Sequence, residues 1–137
     1  MTHTHKLILW LLVLGSVATG LGQAWMRYLV EPKDEFSAWN HPWQGTTESL
    51  HVFLAPMLTL VLGFTLAAHA APKLASPITA PKRRRSGTTI IVLILVLVLT
   101  AAWMTAWTKP ELPIVPWIHG IAGSLFAIAF LGHALRR

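Results

Sequence analysis

The chain has 137 residues, of which 54% are hydrophobic and only 12% are charged. So few charges cannot cover the surface of a water-soluble domain of this length, and so high a hydrophobicity excludes a disordered chain. The formal net charge of +6 does not indicate a nucleic-acid-binding protein, because long uncharged segments stand where a basic groove would be needed.

Four uncharged segments are long enough to cross a bilayer, whose hydrocarbon core of about 30 Å needs roughly 20 apolar residues in a helix. They predict an all-α membrane protein with a single domain over residues 1–137. Because the connections are short, we expect an up-and-down bundle of four transmembrane helices. The predicted helices cover residues 7–27, 48–71, 88–108 and 114–135.

The first and third predicted helices have no histidine in their apolar cores. The first follows Lys6 and contains small residues, so a cleaved signal peptide is the alternative to a retained anchor. We favour the anchor, because the apolar segment exceeds the usual signal-peptide core and because Gly15, Thr19 and Gly20 suit close packing in a membrane. The third helix is dominated by Val, Leu and Ile and is expected to face lipid.

The positive charges predict the orientation of this bundle. Eight of the eleven Lys and Arg residues lie on one side, whereas all five acidic residues lie on the other. Lys and Arg near span ends are retained in the cytoplasm, so both chain termini are expected to be cytoplasmic. The compact form favours a bacterial inner membrane. The eight cations are Lys6, Lys73, Lys82, Arg83, Arg84, Arg85, Arg136 and Arg137.

The ionisable residues inside the four uncharged segments, which are residues 7–26, 50–71, 88–108 and 114–135, are all histidines, and such residues indicate a functional site by default. The second helix carries His51 and His69, and the fourth carries His119 and His133. These helices run parallel in the predicted topology, so His51 is level with His119 near the outer face, and His69 with His133 near the inner face. At 100° per residue, the intervals of 18 and 14 residues place each pair on one stripe of its helix. The intervals differ by about one turn, which a kink at Pro56 and helix tilt would absorb.

Two imidazoles that face each other at one depth suit a six-coordinate haem iron, which takes one axial nitrogen from each side of the porphyrin. The chain has no cysteine, so covalent CxxCH attachment is excluded and other side chains must hold the cofactor. Gly123 lies four residues after His119 and leaves room for a flat porphyrin. The predicted cofactor-binding residues are therefore His51, His119, His69, His133 and Gly123, with the four histidines as iron ligands.

Three roles besides haem ligation are open to histidines in a membrane span. A membrane histidine often hydrogen-bonds to a Ser, a Thr or a backbone carbonyl with no ligand role. Zinc requires ligands that converge within a few Å, whereas these pairs lie several turns apart. A proton relay would use acidic or basic partners, and no Asp, Glu, Lys or Arg accompanies the histidines inside the uncharged segments.

Two segments resemble the small four-helix b-type membrane cytochromes of the cytochrome b561-like kind. They are TESLHVFLAPMLTLVLGFTLAAH and WIHGIAGSLFAIAFLGHALRR, the second with an H-x3-G-x9-H-x2-R frame, and together they cover about 45 residues. The resemblance implies two non-covalent haems b with paired histidine ligands. It also implies electron transfer across the membrane between a quinol pool or periplasmic donor and a redox partner. Unlike some bacterial members, this chain has no histidine in the apolar core of its first helix.

The sequence therefore predicts an electron-transfer protein in membrane lipid, with no catalytic residue of its own. A redox partner subunit or a soluble carrier is the expected partner, and the acidic outer loops suit a basic carrier. The alternatives are a haem-free structural or anchoring subunit whose histidines bridge helices, and a small transporter with a His-lined path. His41 in the outer loop is expected to be solvated, with capping of a quinol pocket or ligation of the outer haem as alternatives.

Overall fold

A computed structural model describes residues 2–32, 36–76, 81–106 and 114–135, without the side chains of residues 81–84. Over these residues the chain is helical and has no strand, and each of its four helices is long and apolar enough to cross a membrane. This confirms the predicted all-α chain with four candidate spans. The helices are α1 (His3–Tyr28), α2 (Gln44–Ala75), α3 (Pro81–Ala106) and α4 (Val115–Leu135).

Some predicted features lie outside the described residues. They are residues 107–108 of the third predicted helix, the charged residues Lys33, Asp34, Glu35, Lys109, Glu111, Arg136 and Arg137, and the side chains of Lys82, Arg83 and Arg84.

Three helices begin earlier than the apolar segments that predict them. In α1 the Thr2 hydroxyl accepts a hydrogen bond from the backbone N–H of His5 at 3.2 Å, which caps the helix in the polar N-terminal segment. The start of α3 at Pro81 places the basic segment in the helix, where a proline at the first position needs no N–H partner. Hydropathy locates the buried length of a helix, whereas the capping residues decide where it begins.

The last part of α2 departs from α-helical geometry. Residues Leu66–Ala70 form a π turn, in which the N–H of Ala71 bonds to the carbonyl of Leu66. Pro72 follows directly. A proline inside an α-helix lacks the N–H for the i−4 carbonyl and its ring clashes with that carbonyl, so a wider turn before Pro72 relieves the conflict. The segment around Pro72, which the sequence predicts as a loop, is therefore helical to Ala75.

The described chain divides into two compact units, Met1–Leu62 and Gly63–Arg137. In the first unit α1 lies antiparallel to the first part of α2. A Cβ atom added at Gly15 would lie 3.2 Å from Leu54, and Gln23 donates a hydrogen bond to the Glu48 carboxylate at 3.3 Å. Small and polar residues of α1 thus let the two helices approach closely, as in other membrane helix pairs.

In the second unit α3 packs against α4. A Cβ atom at Gly123 would lie 3.8 Å from Leu97 of α3. Along α4, Ala122, Phe126 and Phe130 are buried at intervals of four residues, and the two phenylalanine rings stack with centroids 5.9 Å apart. One face of α4 is therefore packed against protein.

Replacement of Phe126, which is 3% exposed, by alanine is expected to destabilise the protein by about 3–5 kcal/mol, because the vacated volume loses its packing contacts. Phe64 is 62% exposed, and Phe64→Ala serves as the matched control with little expected effect. Thermal unfolding of both variants in detergent measures the difference. A loss of stability in Phe126→Ala that is as small as the loss in Phe64→Ala would contradict the packed face of α4.

Candidate functional site

His51 of α2 is held by α1. Its Nδ1 atom lies 3.0 Å from the hydroxyl oxygen of Thr19, and the Ser16 backbone also hydrogen-bonds to the ring. The side chains of His51 and Thr19 are both half-buried. A polar ring in a membrane span needs such partners, because the hydrocarbon core offers none.

Gly20 provides the space that the His51 ring occupies. A Cβ atom at this position would lie 3.0 Å from Cε1 and 3.4 Å from Nδ1 of the ring. Any larger side chain would push the imidazole away from its place beside Thr19. Glycine is therefore needed at position 20 for contact with the ring, and the helical backbone there requires no unusual conformation.

His119 of α4 has the corresponding partner on α3. Its Nδ1 atom lies 2.8 Å from the hydroxyl oxygen of Thr100. His133, further along α4, has its Nδ1 atom 2.8 Å from the hydroxyl oxygen of Ser86. Both rings reach the same neighbouring helix and therefore share one face of α4. The third span, expected only to face lipid, supplies both hydroxyl groups.

His69 differs from the other three histidines. It lies in the π turn of α2 and is exposed. The phase calculation from His51 assumes 100° per residue throughout, and that assumption does not hold over Leu66–Ala70 because each π turn contains more residues than an α turn. π turns within α-helices occur frequently at functional sites.

The structure does not test the two predicted histidine pairs. His51 belongs to the first unit and His119 to the second, so their pairing stays a prediction, as does the pairing of His69 with His133. Gly123, predicted to face a porphyrin, has Leu97 as its neighbour. Within the described ranges there is no group of three or more His, Cys, Asp or Glu side chains that could hold a metal ion, so a site there would have to be built from pairs.

His41 forms part of the turn that starts α2. Its Nδ1 atom accepts a hydrogen bond from the backbone N–H of Trp43 at 3.2 Å, and its carbonyl accepts one from Gln44 at 3.0 Å. The imidazole also lies beside the Trp25 ring, with centroids 5.8 Å apart. The residue, expected to be solvated, is half-buried and belongs to the turn before the helix.

The hydroxyl partners Thr19, Thr100 and Ser86 are absent from the residues that the sequence predicts for the site. One signal could have found two of them. Ser86 and Thr100 are 14 residues apart, as are His119 and His133, and equal spacings on two adjacent antiparallel helices bring the four side chains together in pairs. Thr19 is recognisable only as one of several small residues in α1.

Comparison with known proteins finds no matching family model, no matching curated protein and no matching solved structure. The resemblance to the cytochrome b561-like proteins therefore stays a prediction from the sequence.

Substitution Gly20→Ala is expected to destabilise the first unit. Crowding of the His51 ring costs about 1–3 kcal/mol, and at a contact of 3.0 Å we expect this cost to be larger than the gain of about 1 kcal/mol that alanine brings to a helix. The matched control is Gly22→Ala, whose Cβ atom would lie at an ordinary 3.7 Å from Thr47 and should leave stability unchanged or improved. Thermal unfolding in detergent checks both, and a stabilised Gly20→Ala variant would contradict the close contact.

Proposed function

We propose that the chain is a b-type membrane cytochrome that binds two non-covalent haems and transfers electrons across a bacterial inner membrane. The outer haem would be held by His51 and His119, and the inner haem by His69 and His133. A quinol pool or a periplasmic carrier on one side and a redox partner on the other would complete the pathway.

The observation that carries this proposal is the environment of three of these rings. In His51, His119 and His133, a hydroxyl group from a neighbouring helix contacts Nδ1. Histidines that bind metals through one ring nitrogen commonly hydrogen-bond through the other, which fixes the orientation of the ring. With Nδ1 turned toward the hydroxyl, Nε2 is the nitrogen directed away from it and the one suited to iron.

The residues of this chain would perform three tasks. The histidines bind, and the hydroxyl groups orient them. The apolar side chains of the spans exclude water and so influence the reduction potential. Bound haem supplies the one-electron chemistry. None of these tasks requires a residue that makes or breaks a bond in a substrate.

Visible spectroscopy tests this function directly. Purified protein produced with ample haem should show a b-type α band after reduction by dithionite, with two haems per chain by the pyridine haemochrome method. Substitution His119→Ala is expected to remove one haem. Substitution His51→Ala should remove the same one, so the double variant should retain as much haem as either single variant. His41→Ala, outside the proposed ligand set, is the control and should keep both haems.

A colourless, folded wild-type protein would overturn the proposal. Retention of both haems by His119→Ala would refute the ligand assignment while leaving haem binding intact.

The two antiparallel helix pairs, α1 with the first part of α2 and α3 with α4, support the up-and-down bundle. Together with the excess of Lys and Arg on one side, they support a topology in which both termini are cytoplasmic.

The absence of cysteine from the chain makes this topology testable by labelling. Ala38 and Ala75 are both exposed and lie on opposite sides of the proposed membrane. A membrane-impermeant maleimide should label Ala38→Cys in intact cells and Ala75→Cys only after the membrane is permeabilised. The reverse pattern would place the termini outside.

A haem-free structural or anchoring subunit is the second candidate, and the same three hydrogen bonds favour it because each joins two helices. Such interhelical bonds contribute about 0.6 kcal/mol on average in membranes. In this case the histidine variants would lose stability by about that amount and the wild-type protein would have no α band.

A further inference from the structure

We propose that Thr19 and Thr100 are positioning residues that hold His51 and His119 in the Nδ1–H tautomer, with the metal-binding electron pair on Nε2. The inference deepens the proposed function and rests on it where haem is concerned. It concerns two hydrogen bonds, and in each the question is whether the ring or the hydroxyl donates the proton. The distance between the two atoms does not answer this, but the other neighbours of each hydroxyl do.

The Thr100 hydroxyl has three hydrogen-bonding neighbours but only one proton. Its oxygen lies 2.7 Å from the backbone carbonyl of Val96, 3.1 Å from that of Leu97 and 2.8 Å from Nδ1 of His119. A carbonyl oxygen can only accept a hydrogen bond. Two oxygen atoms at 2.7 Å without a proton between them would repel each other, so the Thr100 proton lies on the bond to Val96.

The bond to His119 must then run from the ring to the threonine. The Thr100 oxygen has no second proton to donate, so Nδ1 of His119 carries the proton and donates it. In a neutral imidazole the other nitrogen, Nε2, then holds the electron pair in the ring plane. This is the form in which histidine binds a metal ion through Nε2.

The same arrangement recurs in the first unit. The Thr19 oxygen lies 2.8 Å from the carbonyl of Gly15 and 3.0 Å from Nδ1 of His51. The shorter bond again goes to a carbonyl that cannot donate, so the His51 ring donates through Nδ1. Two histidines, held by different helices in different units, thus each have Nδ1 beside a threonine hydroxyl whose proton goes to a carbonyl. At His51 the Ser16 backbone is a further hydrogen-bond partner of the ring.

Threonines elsewhere in the helices show that the bond to the carbonyl is the ordinary state of this side chain. The hydroxyl groups of Thr59 and Thr105 donate to the carbonyls four residues earlier, each at 2.8 Å. Both residues are exposed. They supply matched controls, since Thr59→Val and Thr105→Val remove the same backbone bond without touching a histidine ring.

Nitrogen NMR of the full chain, labelled with 15N-histidine and prepared without haem in detergent micelles, tests the tautomers. His51 and His119 are identified by the loss of their signals in His51→Gln and His119→Gln. We expect both rings to be protonated at Nδ1. Thr100→Val should convert His119 to a mixture of tautomers and leave His51 unchanged, and Thr19→Val should do the reverse. Thr100→Ser and Thr19→Ser, which keep a hydroxyl, should restore the wild-type signals.

The controls Thr59→Val and Thr105→Val should change neither ring. A wild-type His119 or His51 protonated at Nε2 would overturn the proposal, and so would valine variants with unchanged signals. The wild-type and serine spectra decide the matter even where a valine variant fails to fold.

Haem titration adds the functional measurement. Because loss of a group that orients a metal ligand typically costs 10–100-fold in metal affinity, Thr100→Val should weaken binding of one haem by about that factor. It should also shift the electron paramagnetic resonance of the oxidised haem, and Thr100→Ser should reverse both changes. Unchanged affinity and resonance in Thr100→Val would refute the positioning role while haem binding stands. A wild-type chain that binds no haem would refute the proposed function, and the NMR result would still decide the tautomers.

Discussion

The hydrogen bond between a hydroxyl group and an imidazole nitrogen is the interaction on which the polar interior of this protein depends. A histidine in a membrane span has no water to replace a missing partner. Thr19, Thr100 and Ser86 supply partners from the adjacent helix, and each bond fixes both the position of a ring and the register of two helices. Because a hydroxyl group is short, it reaches the ring only where the helices approach closely. Polar pairing and tight packing are therefore one requirement.

That requirement explains the glycine at position 20 better than flexibility does. Gly20 has an ordinary helical backbone, and what makes glycine necessary there is the imidazole 3.0 Å from the position of a Cβ atom. At Gly63, Gly120 and Gly132 no neighbour among the described residues lies within 4 Å of such an atom. The same residue type thus serves a defined contact at one position and none at others, and only the tertiary structure separates the two cases.

The sequence predicts the four helices well because bilayer thickness dictates an apolar length that composition reveals directly. It predicts the helix starts poorly, since α1 is capped by Thr2 and α2 begins after a turn at His41, both in polar segments that hydropathy ignores. It predicts the candidate histidines from their cost in a membrane, yet it leaves Thr100 unnoticed in a span of uniform hydrophobicity. The π turn at His69 could not be predicted from helical periodicity either, because that calculation assumes the same rotation of 100° for every residue. The equal spacing of Ser86 and Thr100 with His119 and His133 is the pattern that would have linked α3 to the site.

The helix-bridging and ligand roles of these histidines use different atoms of the same ring. A bridge needs only that Nδ1 and a hydroxyl share a proton, in either direction, and a serine or a threonine would serve equally. A metal ligand needs that proton on Nδ1, because only then does Nε2 hold an electron pair. In Thr19 and Thr100 the backbone carbonyl one turn earlier claims the hydroxyl proton and so selects that direction. A purely structural bridge works with the proton on either atom, whereas a ligand depends on this selection, so the tautomer of the ring is the property that connects the two threonines to the proposed redox function.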